Sequence, residues 1–477
     1  MKRLTAAAAA TLTLAGCMVG PDYRSPMPQS PAQAPFVSSK SPPFTGEQPP
    51  GRWWSLFADP VLDRLIEQAL VANTDLRVAA ANLARARAVL RETRSGLFPS
   101  AEATASATYS RQSGDQLAFP DGGAIEGWSY DVGIDATYQV DLFGRIRRAI
   151  QAARADAGAA QAAFDVSRIT VAAETARAYA DACATGRRLA VARETLRIQE
   201  ETFDLTKRLF EGGRATTLET GQAGALLEQV RASVPTLEAQ RQTALFRLAV
   251  LTGRPPAEFP PEVAACERAP ALAQPIPVGD GAALLSRRPD VRQAERELAA
   301  ATARVGVAIA NLYPRVTLGG SVGSSATSLG GLGSSESFRF SLGPLISWEF
   351  TNLFVGRARI AQAEASASGA MANFEGTWLK ALEETESALT RYARELDRRE
   401  GLRRGRDHAA EAARIARLRY QHGRDSFQIV LDAERSLAET DAALAQSEAQ
   451  LSDYLVSLFL ALGGGWQDAP AVISAGS

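Results

Sequence analysis

Gly127-Trp128-Ser129-Tyr130-Asp131-Val132-Gly133-Ile134-Asp135-Ala136-Thr137-Tyr138-Gln139-Val140-Asp141 is the stretch that decides the fold. Its even positions carry Trp, Tyr, Val, Ile, Ala, Tyr and Val, and its odd positions carry Ser, Asp, Gly, Asp, Thr, Gln and Asp. Successive side chains of an extended strand point to opposite faces, so the stretch has one apolar and one charged face. The alternation holds from 128 to 140, longer than the roughly five or six residues of a globular strand. A tilted strand crossing a bilayer needs about 9 to 11. The aromatics near its ends, Trp128 and Tyr138, resemble the interfacial girdles of membrane barrels.

Working outward, three further stretches alternate in the same way. Phe338, Phe340, Leu342, Ile346, Trp348 and Phe350 interleave with Ser337, Arg339, Ser341, Gly343, Ser347 and Glu349. Two weaker partners precede these strands: Ala101, Ala103, Ala105, Ala107 and Tyr109, and Val316, Leu318 and Val322. The connections at 111–126 and 323–336 are polar and glycine-rich, as exposed loops are. The pattern alone also fits soluble hairpins with the apolar face turned inward. If the strands do cross a membrane, four cannot close a barrel, and an open edge cannot face lipid. Several copies would then share one barrel.

The chain is also internally repeated, which organises everything else. Asp75-Leu76-Arg77 returns as Asp290-Val291-Arg292, and Leu97-Phe98-Pro99 as Leu312-Tyr313-Pro314. Phe143-Gly144-Arg145 returns, with one insertion, as Phe354-Val355-Gly356-Arg357. Phe210 followed by Gly213-Arg214 returns as Tyr420 followed by Gly423-Arg424. Each copy reads helix, two strands, long helix, glycine turn, long helix. The expected map is repeat 1 over 56–253, a Pro-rich linker over 254–279, repeat 2 over 280–466 and a tail over 467–477. Strands are expected at about 98–110, 127–141, 313–325 and 336–350, and long helices at about 145–211, 215–253, 356–421 and 425–462.

No proline interrupts 145–211, which as one helix would run roughly 100 Å. Such a length points to a coiled coil or tube. Val430, Leu437, Leu444, Leu451 and Leu458 are each seven apart, and Leu227, Val234, Arg241 and Leu248 mark the same seam in the first copy. Such a heptad stripe is a packing seam. Pro235 should kink or loosen its helix locally.

The first residues read as an address. Lys2 and Arg3 precede the apolar run 4–14, too short to span a bilayer, and Leu14-Ala15-Gly16-Cys17 resembles a lipoprotein cleavage box. Residues 1–16 are therefore expected to be a signal peptide, Cys17 the lipidated residue, and 17–55 an anchored, extended Pro/Ser-rich segment. The charge balance, 52 basic against 53 acidic residues, argues against a nucleic-acid partner. Neither His408 and His422 nor the three cysteines have metal-ligand spacing, and no G-x-S-x-G, P-loop or H-E-x-x-H occurs. We expect no enzyme activity, no metal and no cofactor beyond the covalent lipid. Cys183 and Cys266 could pair in an oxidising compartment, and the sequence leaves that open.

Several motifs together resemble the TolC-like outer-membrane efflux proteins, in particular their lipoprotein branch (NodT-type, OprM-like). They are Cys17 with Pro21-Asp22-Tyr23, Trp53-Trp54, Asp141-Leu142-Phe143-Gly144, Arg288-Pro289-Asp290-Val291, Leu431-Asp432-Ala433-Glu434-Arg435 and Ala461-Leu462-Gly463-Gly464-Gly465-Trp466. The resemblance implies a membrane α+β fold. Its parts are a trimeric 12-stranded outer-membrane β-barrel, four strands per protomer, and a long periplasmic α-helical coiled-coil tunnel. It implies a passive outer-membrane channel of a tripartite efflux system, lipid-anchored in the outer membrane and extending into the periplasm. The partners implied are a homotrimer, a periplasmic membrane-fusion adaptor, an inner-membrane transporter (RND-type or similar) and outer-membrane lipid. Asp432 and Arg435 fall in the segment that closes the periplasmic end in the family, with Gln428 where relatives often carry an apolar gate residue. Gly212, Gly213, Arg214, Gly423 and Arg424 fall at the helix-hairpin tips, where an adaptor would dock. The competing function is a lipid-anchored periplasmic coiled-coil protein, structural or adhesive, without a pore.

Overall fold

A computed structural model describes residues 18–26, 30–39, 42–112, 125–272, 274–350 and 353–467. The expected signal segment, Cys17, residues 113–124 of the first strand connection and residues 468–477 of the tail lie outside these. In chain order the elements are β1 (Phe44–Thr45), α1 (Pro60–Ala72), α2 (Thr74–Ser95), β2 (Ser100–Gln112), β3 (Ile125–Val140), α3 (Arg145–Glu211) and α4 (Thr217–Leu251). Then follow α5 (Pro261–Ala264), β4 (Ile276–Pro277), α6 (Gly281–Arg287), α7 (Pro289–Ala310), β5 (Arg315–Ala326), β6 (Phe338–Ser347), α8 (Leu353–Gln421) and α9 (Phe427–Ala461). No helix among the described residues is long and apolar enough to cross a membrane. The chain divides into two compact units, each assembled from separate stretches of sequence.

The first unit (Met1–Pro26, Ala84–Ala160, Ala294–Phe374) holds the large sheet. Its order is β2-β3-β5-β6, all neighbours antiparallel. β3 pairs with β5, the second repeat's counterpart of β2, so the two hairpins of the duplicated chain form one sheet. Tyr109 sits opposite Trp128, with ring centroids 5.5 Å apart. At the junction from β3 into α3 the side chain of Asp141 accepts hydrogen bonds from the Ile146 and Arg147 amides, at 3.0 and 2.9 Å. A carboxylate there satisfies amides that the first helical turn leaves free and complements the helix dipole. Gly144 has φ +78°, and a Cβ on it would lie 2.4 Å from Met18 Cγ, so only glycine fits this corner. Phe143 stacks on Tyr313 of the other repeat at 4.4 Å.

The second unit (Met27–Leu83, Gln161–Gln293, Glu375–Ser477) is helical. Leucine and alanine recur through its core, and in α3 Ala172, Ala173, Ala176, Ala178, Ala180 and Ala182 are all buried. Small side chains let helix backbones approach closely. Of the heptad positions, Val430, Leu437, Leu451, Leu458, Leu227 and Leu248 are buried, while Leu444, Val234 and Arg241 are half-buried. Pro235 lies inside α4, and the helix runs through it. Trp53 and Trp54 are fully buried, Trp53 stacking on Phe459 at 4.9 Å. Gly465, at φ +108°, passes so close that a Cβ would lie 3.1 Å from both indoles. Arg288 is buried and forks onto Asp290 at 3.0 and 2.6 Å, reaching also Glu384 at 2.8 Å and the Ala461 carbonyl at 2.9 Å. These contacts account for two of the motifs as architecture.

The Pro-rich segments are more firmly held than their composition suggests. Phe36 and Phe44 are buried, and the Val37 and Ser38 amides donate to the Glu386 carboxylate at 2.7 and 3.0 Å. β1 pairs with β4 of the linker. A disulfide joins Cys183 of α3 to Cys266. Gly186 permits this contact, since a Cβ there would lie 2.1 Å from the Cys266 carbonyl oxygen.

Candidate functional site

The apolar residues of the first unit's sheet are left exposed by the other described residues. In β6, Phe340, Leu342 and Ile346 are 75, 86 and 67 % exposed, and Trp128, Ile134, Leu318 and Val322 of the neighbouring strands are exposed with them. The inward-facing soluble hairpin is therefore not what forms among the described residues, none of which covers this face. An apolar surface of this kind marks contact with lipid or another protein. The opposite face carries Glu102, Asp131, Asp135, Arg315 and Arg339. β2 and β6 each keep one edge unpaired within the chain.

Residues just after Cys17 are fixed at the foot of this sheet. The Val19 amide donates to the Phe143 carbonyl at 3.3 Å. Arg148, buried in α3, donates to the Val19 and Gly20 carbonyls at 3.0 and 2.9 Å and pairs with Asp22 at 2.9 Å. Gly20, at φ +89°, packs against Gly306. Composition hid this cradle: Arg148 stands among Arg145, Arg147 and Gln151 in the sequence and reads there as a solvated charge.

In the second unit, Gln428 and Asp432 lie on one exposed face of α9, with the Gln428 amide donating to Asp432 at 3.2 Å. Arg435 is exposed too, and among the described residues no ion pair joins it to Asp432. The two charges sit one turn apart, both exposed. Sequence reasoning missed the residue between them. Glu434 is buried, contacts Arg417 of α8 at 2.9 Å and accepts from Gln199 of α3 at 3.2 Å. The Arg417 contact is close but not aligned as a hydrogen bond, so it acts chiefly by charge. Burial pushes the Glu434 carboxyl above its ordinary value, with Arg417 and then Gln199 opposing the shift. The available signal was spacing: Phe427, Val430, Glu434 and Leu437 follow the apolar stripe of α9.

Both helix hairpins end in the same way. The Gly213 and Arg214 amides donate to the Phe210 and Leu209 carbonyls, at 2.9 and 2.8 Å, and the Gly423 and Arg424 amides donate to Tyr420 and Arg419, at 2.8 and 2.9 Å. Gly213 and Gly423 have φ +71° and +67°, the left-handed residue this helix stop demands. A Cβ on either would touch nothing, so both tips are open to their surroundings. Gly212 is ordinary in conformation, and Arg214 and Arg424 are exposed. Glu219 forms a capping box with Thr216 at the start of α4. Near the tips the two hairpins pack together through Ala223, Leu226, Phe427 and Leu431, with Phe203 and Tyr420 alongside.

Comparisons with known proteins agree with this geometry. The family model described as outer membrane efflux protein matches twice in tandem, over residues 65–254 and 282–464. The chain is 34 % identical over 470 residues to outer membrane protein OprJ of Pseudomonas aeruginosa, covering 97 % of this chain and 96 % of that protein. It is 30 % identical over 465 residues to nodulation protein T of Rhizobium leguminosarum bv. trifolii, covering 96 % of each. Its fold resembles that of the outer-membrane channel OprN with a TM-score of 0.89 and 38 % identity, over 94 % of this chain and all of that one. This chain belongs to the outer membrane efflux protein family.

Proposed function

We propose that three copies of this chain, each giving four strands, close one 12-stranded barrel in the outer membrane, and that their helices line a periplasmic tunnel. Efflux across the outer membrane is the function of the family. The number three and the assembly around it are our reading. The observation that carries it is the sheet: apolar on one face, charged on the other, with the edges of β2 and β6 left open. Lipid cannot hydrogen-bond an open edge, so neighbouring copies must pair with it. Strand number then sets the width, and a barrel of this size encloses water.

Cys17 carries the lipid in this reading. Support comes from the Arg148 cradle, which holds Val19 and Gly20 at the end of β3, where an acyl chain could enter the inner leaflet. Asp432 and Arg435, with Gln428, form the periplasmic gate. Asp432 and Arg435 each carry an exposed charge that no ion pair engages among the described residues, and a neighbouring helix pair can engage it. The tips at Gly212, Gly213, Arg214, Gly423 and Arg424 receive a periplasmic adaptor, which couples the channel to an inner-membrane transporter of RND or similar type.

Planar-bilayer recording tests the gate directly. Asp432→Ala should conduct more than the unaltered channel, because a linkage holding the aperture is gone. Equal conductance would remove the gate assignment. Replacing Gly213 or Gly423 with a bulky residue should abolish efflux in cells while the membrane level of the trimer stays unchanged. Loss of the trimer would instead assign those glycines to folding.

A further inference from the structure

The charged face of the sheet is not a scatter of independent side chains. Arg339 of β6 lies across β5 and reaches β3: its Nη2 donates to Asp131 Oδ1 at 2.6 Å, and its Nε donates to Ser325 Oγ at 3.1 Å. The Ser325 hydroxyl donates in turn to the other Asp131 oxygen. Three strands are thus bridged by one guanidinium. The path is cleared by two glycines that face each other in the β3–β5 register, Gly133 and Gly323. A Cβ on Gly133 would lie 3.3 Å from Arg339 Nη2, and one on Gly323 would lie 3.4 Å from Arg339 Cζ and 2.6 Å from the Val132 carbonyl oxygen. The guanidinium therefore lies flat against the wall because side chains are missing beneath it.

Other charges on the same face fall into two groups. Arg315 is paired with Glu349 at 3.1 Å. Glu102 and Asp135 sit directly opposite each other in the β2–β3 register, and no ion pair engages either among the described residues. We infer that Asp131 is a positioning residue that pins Arg339 to the lumen wall as a neutral bar, and that Glu102 and Asp135 give the barrel its preference for cations. This rests on the shared-barrel reading, which turns the charged face into a lumen.

A planar fork with several donors can hold Asp131 and Ser325 together, whereas a lysine ammonium is a compact charge on a shorter, flexible stem. Arg339→Lys keeps the net charge and should lose the bar. Single-channel recordings across a KCl gradient read both parts. The unaltered channel should be quiet and cation-preferring. Arg339→Lys and Asp131→Asn should each add open-channel flicker, from a cation freed into the lumen, and Asp131→Asn/Arg339→Gln should be quiet again. Asp135→Asn, which makes the same charge change as Asp131→Asn, should weaken the cation preference without flicker. A quiet Arg339→Lys channel, or Asp131→Asn and Asp135→Asn channels with the same trace, overturns the inference. If Asp131→Asn does not insert, Arg339→Lys alone decides. Absence of conduction by both the unaltered protein and Asp432→Ala would overturn the shared-barrel reading instead.

Discussion

Glu434 is a carboxylate held where a carboxylate is costly, and its two partners offset only part of that cost. Because burial raises its pKa, the folded chain binds this proton more readily than the unfolded chain. The contribution of the joint to stability therefore falls as pH rises from the ordinary carboxylate range through the raised value, and recovers on acidification. Glu434→Gln should flatten this dependence, read as hydrogen-exchange protection of α9 across that range. Glu434→Ala should weaken α9 by about 1–3 kcal/mol, since Gln199 loses its partner and a void is left. Unchanged protection in both variants would remove Glu434 from the joint. The neighbouring Asp432 and Arg435 drew notice because they stand in a motif. Glu434 was not, since a glutamate among arginines reads as a solvated charge until its spacing with Phe427, Val430 and Leu437 is followed.

At the scale of elements, β3 could be read directly, because period-2 alternation survives in sequence whatever the strand packs against. β2 and β5 were weaker, being rich in Ala, Ser, Thr and Gly, yet Ser100–Gln112 and Val316–Ala326 pair with β3 without a break. What pairing could not reveal is whether the apolar face is covered within the chain, and the exposed Phe340, Leu342 and Ile346 of β6 show that it is not among the described residues. Leu342→Arg, on the apolar face of β6, should cost about 2–4 kcal/mol near the bilayer midplane, seen as loss of the membrane-inserted form. Arginine at the neighbouring Ser341, on the charged face, should still insert. Equal insertion of both would mean that the two faces are not in lipid and water. For the helix hairpins, the glycine turns were legible as turns, and the structure adds why alanine fails there. Gly213→Ala forces a left-handed alanine, at about 1 kcal/mol, and should fray the end of α3 in hydrogen exchange.

At the scale of the whole chain, duplication was plain from four recurring anchors, and the family match in two tandem segments has the same basis. Less visible was how the halves interleave. Each compact unit draws on both repeats, so neither repeat is a folding unit alone. The Cys183–Cys266 disulfide was open for a physical reason: a separation of 83 residues says nothing about distance in space. It ties the Pro-rich linker to α3, and replacing both cysteines with serine should lower stability by roughly 2–4 kcal/mol, seen as a lower melting temperature under oxidising conditions only. Equal melting of the variant and the oxidised parent would show that the bond forms no constraint. The open edges of β2 and β6 make the largest demand on anything beyond one chain. Native mass measurement of the purified, acylated protein in detergent addresses it directly. The mass of three chains, stable until the sheet is disrupted, is the expected result. A single chain that keeps its sheet intact, and stays soluble in water once the lipid is removed, would contradict it.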